Sequence, residues 1–83
     1  MNIKNLQKYL SDLHKSNKDI ISLISETNDL IKAKTNKLSI YNILNLDRNE
    51  LKYLIGGLIC QCICLADIIG LDTEDCVKTY LDG

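Results

Sequence analysis

The sequence contains no proline, no tryptophan and no phenylalanine, and it has one histidine and four glycines in 83 residues. Without proline, no position forces a helix to kink or stop. Without phenylalanine or tryptophan, the core must be built from isoleucine and leucine, with tyrosine as the one aromatic type. His14 lies in the polar stretch LHKSNK and reads as a surface residue or a helix C-terminal cap. As the lone imidazole in a polar turn it offers no Ser-His-Asp or Cys-His pairing. No glycine-rich loop joins a strand to a helix, so a phosphate cradle of that kind is excluded. Ten basic residues against eleven acidic ones give a formal net charge of -1, with no cationic block to follow a phosphate backbone. A nucleic-acid partner is therefore not expected.

Charge is also missing from one long run. From Tyr53 to Ala66 the chain reads YLIGGLICQCICLA, apolar on every side of any helix drawn through it. Such a helix has to be buried all round. A chain this short cannot easily surround it alone, which points to packing against a second copy in a dimer or tetramer. Lys52 and Asp67 bound the run below the ~20 residues a membrane span needs, so it is expected to be a core helix and no membrane partner is expected. The start MNIKNLQKYL has no apolar signal core, and Cys60, Cys62 and Cys64 share one helix. Reduced thiols in a cytoplasmic protein are the expectation.

Apolar residues recur at helical spacing almost throughout, which predicts a single all-α domain over 1–83, a short bundle of about four helices. Ile3, Leu6, Leu10 and Leu13, with Tyr9 beside them, mark the first helix, which fades over His14 to Lys18. Ser16 or Asn17 can cap the second, from about Asp19 to Ala33, with Ile20, Ile21, Leu23, Ile24, Leu30 and Ile31 on one broad arc. Thr35 to Asn49 reads as a connecting loop with its own apolar anchor. Asp47 and Glu50 have capping-box spacing for a third helix running to about Ile69, with Gly70 as its stop. Asp72 or Thr73 can then cap a last helix.

Glu26 and Asp29 lie three apart, so both carboxylates can share one edge of the second helix. A hard cation such as Mg²⁺ takes this type of ligand, usually with phosphate oxygens. The plainer reading is that SETND is the solvated side of an amphipathic helix. On the third helix Glu50, Leu54, Gly57, Gln61, Cys64 and Ile68 form one stripe, on which Gln61 is a nearly isolated amide. It can satisfy its hydrogen bonds across a helical interface or on a purine edge. Alternate positions of C-x-C-x-C point to opposite sides of a helix, so no metal site made by cysteine is expected. Cys64 and Cys76 are equally far from Gly70 and could meet across the last hairpin. Lys15 or Lys18 beside His14 could contact a phosphate.

These blocks together resemble the MazG-like, all-α nucleotide pyrophosphohydrolases. LISETNDLIKA is similar to that family's first acidic motif, Glu-Glu-x-x-Glu before a leucine, with Ser25 in place of one acid. ICLADIIGLDTEDCVKTYL is similar to its ending, an Ala-Asp, a Gly-Ile-Asp and a short last helix. The second motif, Glu-x-x-Asp, would fall on Leu54 and Gly57, neither of which can bind a cation. The resemblance implies a dimer or dimer pair, Mg²⁺ held by Glu26 and Asp29 with Glu50 as a stand-in, and a nucleotide or nucleotide-derived ligand near Gln61 and Gly57. Gly56-Gly57 would admit a neighbouring helix or a flat ligand, at about 1 kcal/mol of helix stability per glycine. With two acids gone, binding or sequestration with little or no hydrolysis is the first expectation. An active Mg²⁺-dependent nucleoside triphosphate pyrophosphohydrolase is the second, and a non-enzymatic helical interaction protein the third.

Overall fold

The computed structural model of the chain describes residues 2–13 and 19–83. Five helices are present among these residues: α1 (Ile3–Leu13), α2 (Ile20–Asn36), α3 (Ile40–Asn45), α4 (Arg48–Ile68) and α5 (Thr73–Asp82). The protein is all-α, with one helix more than the sequence predicts. His14, Lys15, Ser16, Asn17 and Lys18 lie outside the described residues, so the phosphate contacts expected of Lys15 and Lys18 have no structural account.

The cap of α2 is Asp19, not Ser16 or Asn17: its extended backbone lets the carboxylate accept from the Ser22 N–H at 2.7 Å. The additional helix, α3, arises where a loop is expected, because Ser39 caps it by accepting from the Asn42 N–H at 3.2 Å. Asn42 in turn donates through Nδ2 to the Lys37 carbonyl at 3.0 Å, which ties α3 to the end of α2. The Asp47–Glu50 capping box does not form. Asp47 holds the cap position without a side-chain hydrogen bond, keeping only the first intrahelical bond, from the Leu51 N–H to its carbonyl at 3.0 Å.

Gly70 ends α4 as expected, with φ +79°. The Leu71 N–H reaches the Ala66 carbonyl at 2.8 Å and the Gly70 N–H the Asp67 carbonyl at 3.1 Å, a Schellman pair that satisfies the last turn. Asp72 then caps α5 by accepting from the Asp75 N–H. One contribution to this corner has no local sequence signal. Gln7 on α1 donates through Nε2 to the Leu71 carbonyl at 2.9 Å and accepts from the Thr73 N–H at 3.0 Å. A single side chain thus pins α1 to the α4–α5 turn and satisfies an orphan N–H of α5.

Helices α1, α2 and α5 all pack on α4. A small cluster of Leu10, Ile63 and Cys64, with Leu6 and Cys60 against it, forms the core near the C-terminal half of α4. Thr27 is also buried, and its hydroxyl donates to the Leu23 carbonyl at 2.8 Å. The whole is open rather than close-packed: the Cα radius of gyration is 14.0 Å, where a compact chain of this length has about 12 Å. By length and composition α4 could cross a bilayer, with a mean hydropathy of 1.6 over its best window. Core helices of soluble proteins meet the same measure while mostly buried, whereas only 22% of this window is buried.

Two predictions follow from the caps. Gln7→Ala removes both bonds at the α4–α5 corner and is expected to cost about 1–2 kcal/mol in urea unfolding; an unchanged midpoint would show that the corner does not need them. The Asp19 carboxyl is held below the usual carboxylate range by the Ser22 N–H and hydroxyl. Its depressed folded-state value means that the cap stabilises above roughly pH 4 and is lost as pH falls through the lowered value. In Asp19→Asn that stabilisation is expected to lose its pH dependence, so the gap between the two proteins' urea midpoints narrows on acidification.

Candidate functional site

The register of α2 against α4 is fixed at one crossing. A Cβ built on Gly57 would stand 2.6 Å from Lys34 Cε, 3.3 Å from Cδ and 3.8 Å from Nζ, so the half-buried Lys34 stem fills the space a side chain at 57 would need. Lys37, one turn further along α2, lies beside Glu50, Tyr53 and Leu54. Advancing along α2 therefore means retreating along α4, and the two helices run antiparallel. The stripe Leu54, Gly57, Gln61, Cys64 and Ile68 is half-buried or buried, while Glu50, on its first turn, is exposed.

The separation of the candidate acids follows from this crossing. Glu26 and Asp29 lie on α2 eight and five residues before Lys34, and Glu50 lies on α4 seven residues before Gly57. Because the helices are antiparallel, these displacements point to opposite ends. At ~1.5 Å per residue Glu50 stands about 22 Å from Glu26 and about 18 Å from Asp29 along the helix axes. Mg²⁺ binds its ligands at ~2.1 Å, so one chain does not bring Glu50 to the same ion as the other two. Glu26 and Asp29 share the exposed part of α2. Among the described residues no three His, Cys, Asp or Glu side chains gather as a metal-holding group.

The positions that the family resemblance assigns to a second acidic motif have a different electrostatic setting from the expected one. Leu54 and Gly57 stand level with Lys37 and Lys34, not with Glu26 and Asp29. Where a carboxylate would draw a cation, this chain places ammonium groups that repel one. Gln61, expected near a ligand or a helical interface, has a buried Oε1 with no hydrogen-bond partner among the described residues. Such an atom costs about 1–3 kcal/mol of desolvation unless something outside the chain donates to it.

A groove of about 490 Å³ opens beside Glu50, between the α2–α3 connection and the first turns of α4. Lys37, Asn42, Asn49 and Tyr53 line it along with Glu50, over Leu46 and Leu54. Of the lining residues, the resemblance singles out Leu54, as the place of a missing acid, and Glu50, as its stand-in. Tyr53 and Asn49 had a visible signal, as the sole aromatic in the uncharged run and an amide one residue from Glu50. Asn42 had none, because α3 was not apparent.

None of the four cysteines is in a disulfide: Cys64 is buried, Cys60 half-buried, and Cys62 and Cys76 exposed. Burial pushes the Cys64 thiol up, and the nearby Cys60 and Asp67 add to that shift. Cys64 thus behaves as a small core residue, not as a nucleophile.

No model of a known family, no curated protein and no solved structure matches the chain. The likeness to the MazG-like enzymes stands on the quoted residues alone.

The crossing yields a double-mutant cycle. Gly57→Ala gains helix propensity but displaces the Lys34 stem, so alone it is expected to change stability little. In a Lys34→Ala background the same change should stabilise by about 1 kcal/mol. Equal effects in both backgrounds, read from urea unfolding, would contradict the packing.

Proposed function

We propose that this chain is a non-catalytic helical association module that works through the exposed face of α4. The observation that carries the reading is the exposure of an uncharged helix. Only Ile63, Cys64 and Ala66 of α4 are buried, while Ile55 and Ile59 keep 48% and 53% of their surface in water. Continuous exposed apolar surface of this kind marks an interaction site. Hydrolysis has less support, because the candidate acids lie at opposite ends of the α2–α4 pair and lysines stand beside Gly57 and Leu54.

A second reading, favoured by the groove beside Glu50, is that the chain holds a nucleotide or nucleotide-derived ligand without cleaving it. Tyr53 offers a face for stacking, Asn42 and Asn49 offer amides, and Lys37 offers a cation for a phosphate. Mg²⁺ enters this reading only as an ion carried with the ligand's phosphates.

The two readings separate experimentally. Association predicts that Ile59→Lys, an exposed change that leaves the helical circular dichroism intact, reduces the mass of the species measured by sedimentation. Glu26→Gln and Asp29→Asn should leave that mass unchanged. Ligand binding predicts heat on titration with nucleoside triphosphates or cyclic dinucleotides that is at least tenfold weaker in Tyr53→Ala. Pyrophosphate released from any common triphosphate with Mg²⁺, and abolished by Glu26→Gln, would overturn the non-catalytic assignment.

A further inference from the structure

We infer that α3 is a lipid-docking tip: Ile40, Tyr41, Ile43 and Leu44 enter the headgroup region of an anionic bilayer, held there by the cations that flank the helix. The surface is a different one from the α4 association face and does not depend on it. The contact is with the surface of a bilayer, not a passage across one. Three observations carry the inference.

The first is how little of α3 the chain itself covers. Asn42 and Leu46 turn inward and line the groove beside Glu50. At ~100° per residue Ile40 and Leu44 then point away from them, with Tyr41 and Ile43 to either side. Ile40, Tyr41, Ile43 and Leu44 keep 80%, 73%, 48% and 77% of their surface in water. Among the described residues α3 makes no extensive contact with any other helix. The whole chain exposes 6378 Å², where a folded monomer of this mass exposes about 5,000 Å². These four side chains are one source of that surplus.

The second is charge. Lys37 stands three residues before α3 and Arg48 three residues after it, both exposed. Lys32, Lys34 and Lys52 lie further out on α2 and α4. Against these five cations, residues 32–52 hold only Asp47 and Glu50, a net charge of +3, while the rest of the chain carries -4. No block of like charge shows in the sequence, because the cations are spread over two helices. Since α2 and α4 are antiparallel, the end of one and the start of the other share an end of the molecule, and the cations gather there around α3. That end attracts an anionic partner, whereas a second copy meeting it tip to tip would set the cations against their own kind.

The third is the set of residue types. Isoleucine and leucine insert, tyrosine sits at headgroup level, and lysine and arginine lay their stems on apolar surface while their heads reach phosphate. A single anchoring signal gives weak, reversible binding, and stable contact takes an apolar and a cationic one together. Residues 32–52 supply both. A protein partner would need a pocket shaped to four protruding side chains, and a nucleic-acid backbone offers nothing to the apolar ones; a bilayer meets both requirements without a preformed shape.

The test floats the full chain with vesicles of phosphatidylcholine alone, and of phosphatidylcholine and phosphatidylserine in equal parts, at low and high salt. Circular dichroism confirms that each variant folds. The expected result is binding to the mixed vesicles that high salt weakens, with little binding to phosphatidylcholine alone. Ile40→Asn with Leu44→Asn should lower the affinity roughly tenfold or more, since both side chains leave water only on binding. Lys37→Gln and Arg48→Gln should each lower it about fivefold. No binding to either vesicle overturns the inference, and equal binding to both at every salt concentration overturns the anionic partner it names. Loss of binding in Ile59→Asn, with the α3 variants binding as wild type does, assigns lipid to α4 and overturns it too. So does a wild-type chain that ignores vesicles and whose mass in sedimentation falls in Ile40→Asn with Leu44→Asn, because α3 is then covered by another copy.

Discussion

A helix with no polar side has to be covered, and a chain of 83 residues has too little material to cover one 21 residues long. Most of the structure is an answer to that constraint. Three of the other four helices among the described residues pack on α4, and the small core of Leu10, Ile63 and Cys64 sits against its second half. The first half of α4 meets α2 along one stripe and is otherwise left to water. The open shape and the surplus of exposed surface are two consequences of one shortage.

The crossing of Lys34 over Gly57 decides what the α2–α4 pair can do chemically. Glycine at 57 leaves room for a lysine stem at the level where the two antiparallel helices meet. That register carries Glu26 and Asp29 toward one end and Glu50 toward the other. A scaffold that resembles a metal-dependent hydrolase in its motifs is thus arranged, within one chain, so that its remaining acids do not converge. In place of a shared cation, the pair presents an open groove at Glu50 and, at Gln61, a buried oxygen with no hydrogen-bond partner among the described residues.

Hydrogen bonds between side chain and backbone hold the corners. Asp19, Ser39 and Asp72 each cap a helix by accepting from an N–H three residues on, and the Schellman pair at Gly70 closes α4. These bonds are local, and those at Gly70 and Asp72 could be read from residue type and spacing, while the caps at Asp19 and Ser39 fall where the sequence pattern put a different cap or a loop. Gln7 is different. Its partners are more than sixty residues away in the chain, and no local pattern marks a glutamine on α1 as the piece that anchors α5.

The all-α class, the stop at Gly70, the cap at Asp72 and the stripe from Leu54 to Ile68 were legible in the sequence, because each depends on the periodicity and conformational preference of neighbouring residues. The extra helix α3 was not, since IYNILN is too short to show a period and only the Ser39 cap betrays it. The failed Asp47–Glu50 box has the right spacing without the side-chain bond. The relative placement of the acids was beyond reach for a deeper reason. Spacing along one helix says which side chains share a face, but the level at which two helices meet is set by packing volume at the crossing. Here that volume is an absent side chain at Gly57 and a lysine stem that fills its place, a relation between residues 34 and 57 that exists only once the chain has folded.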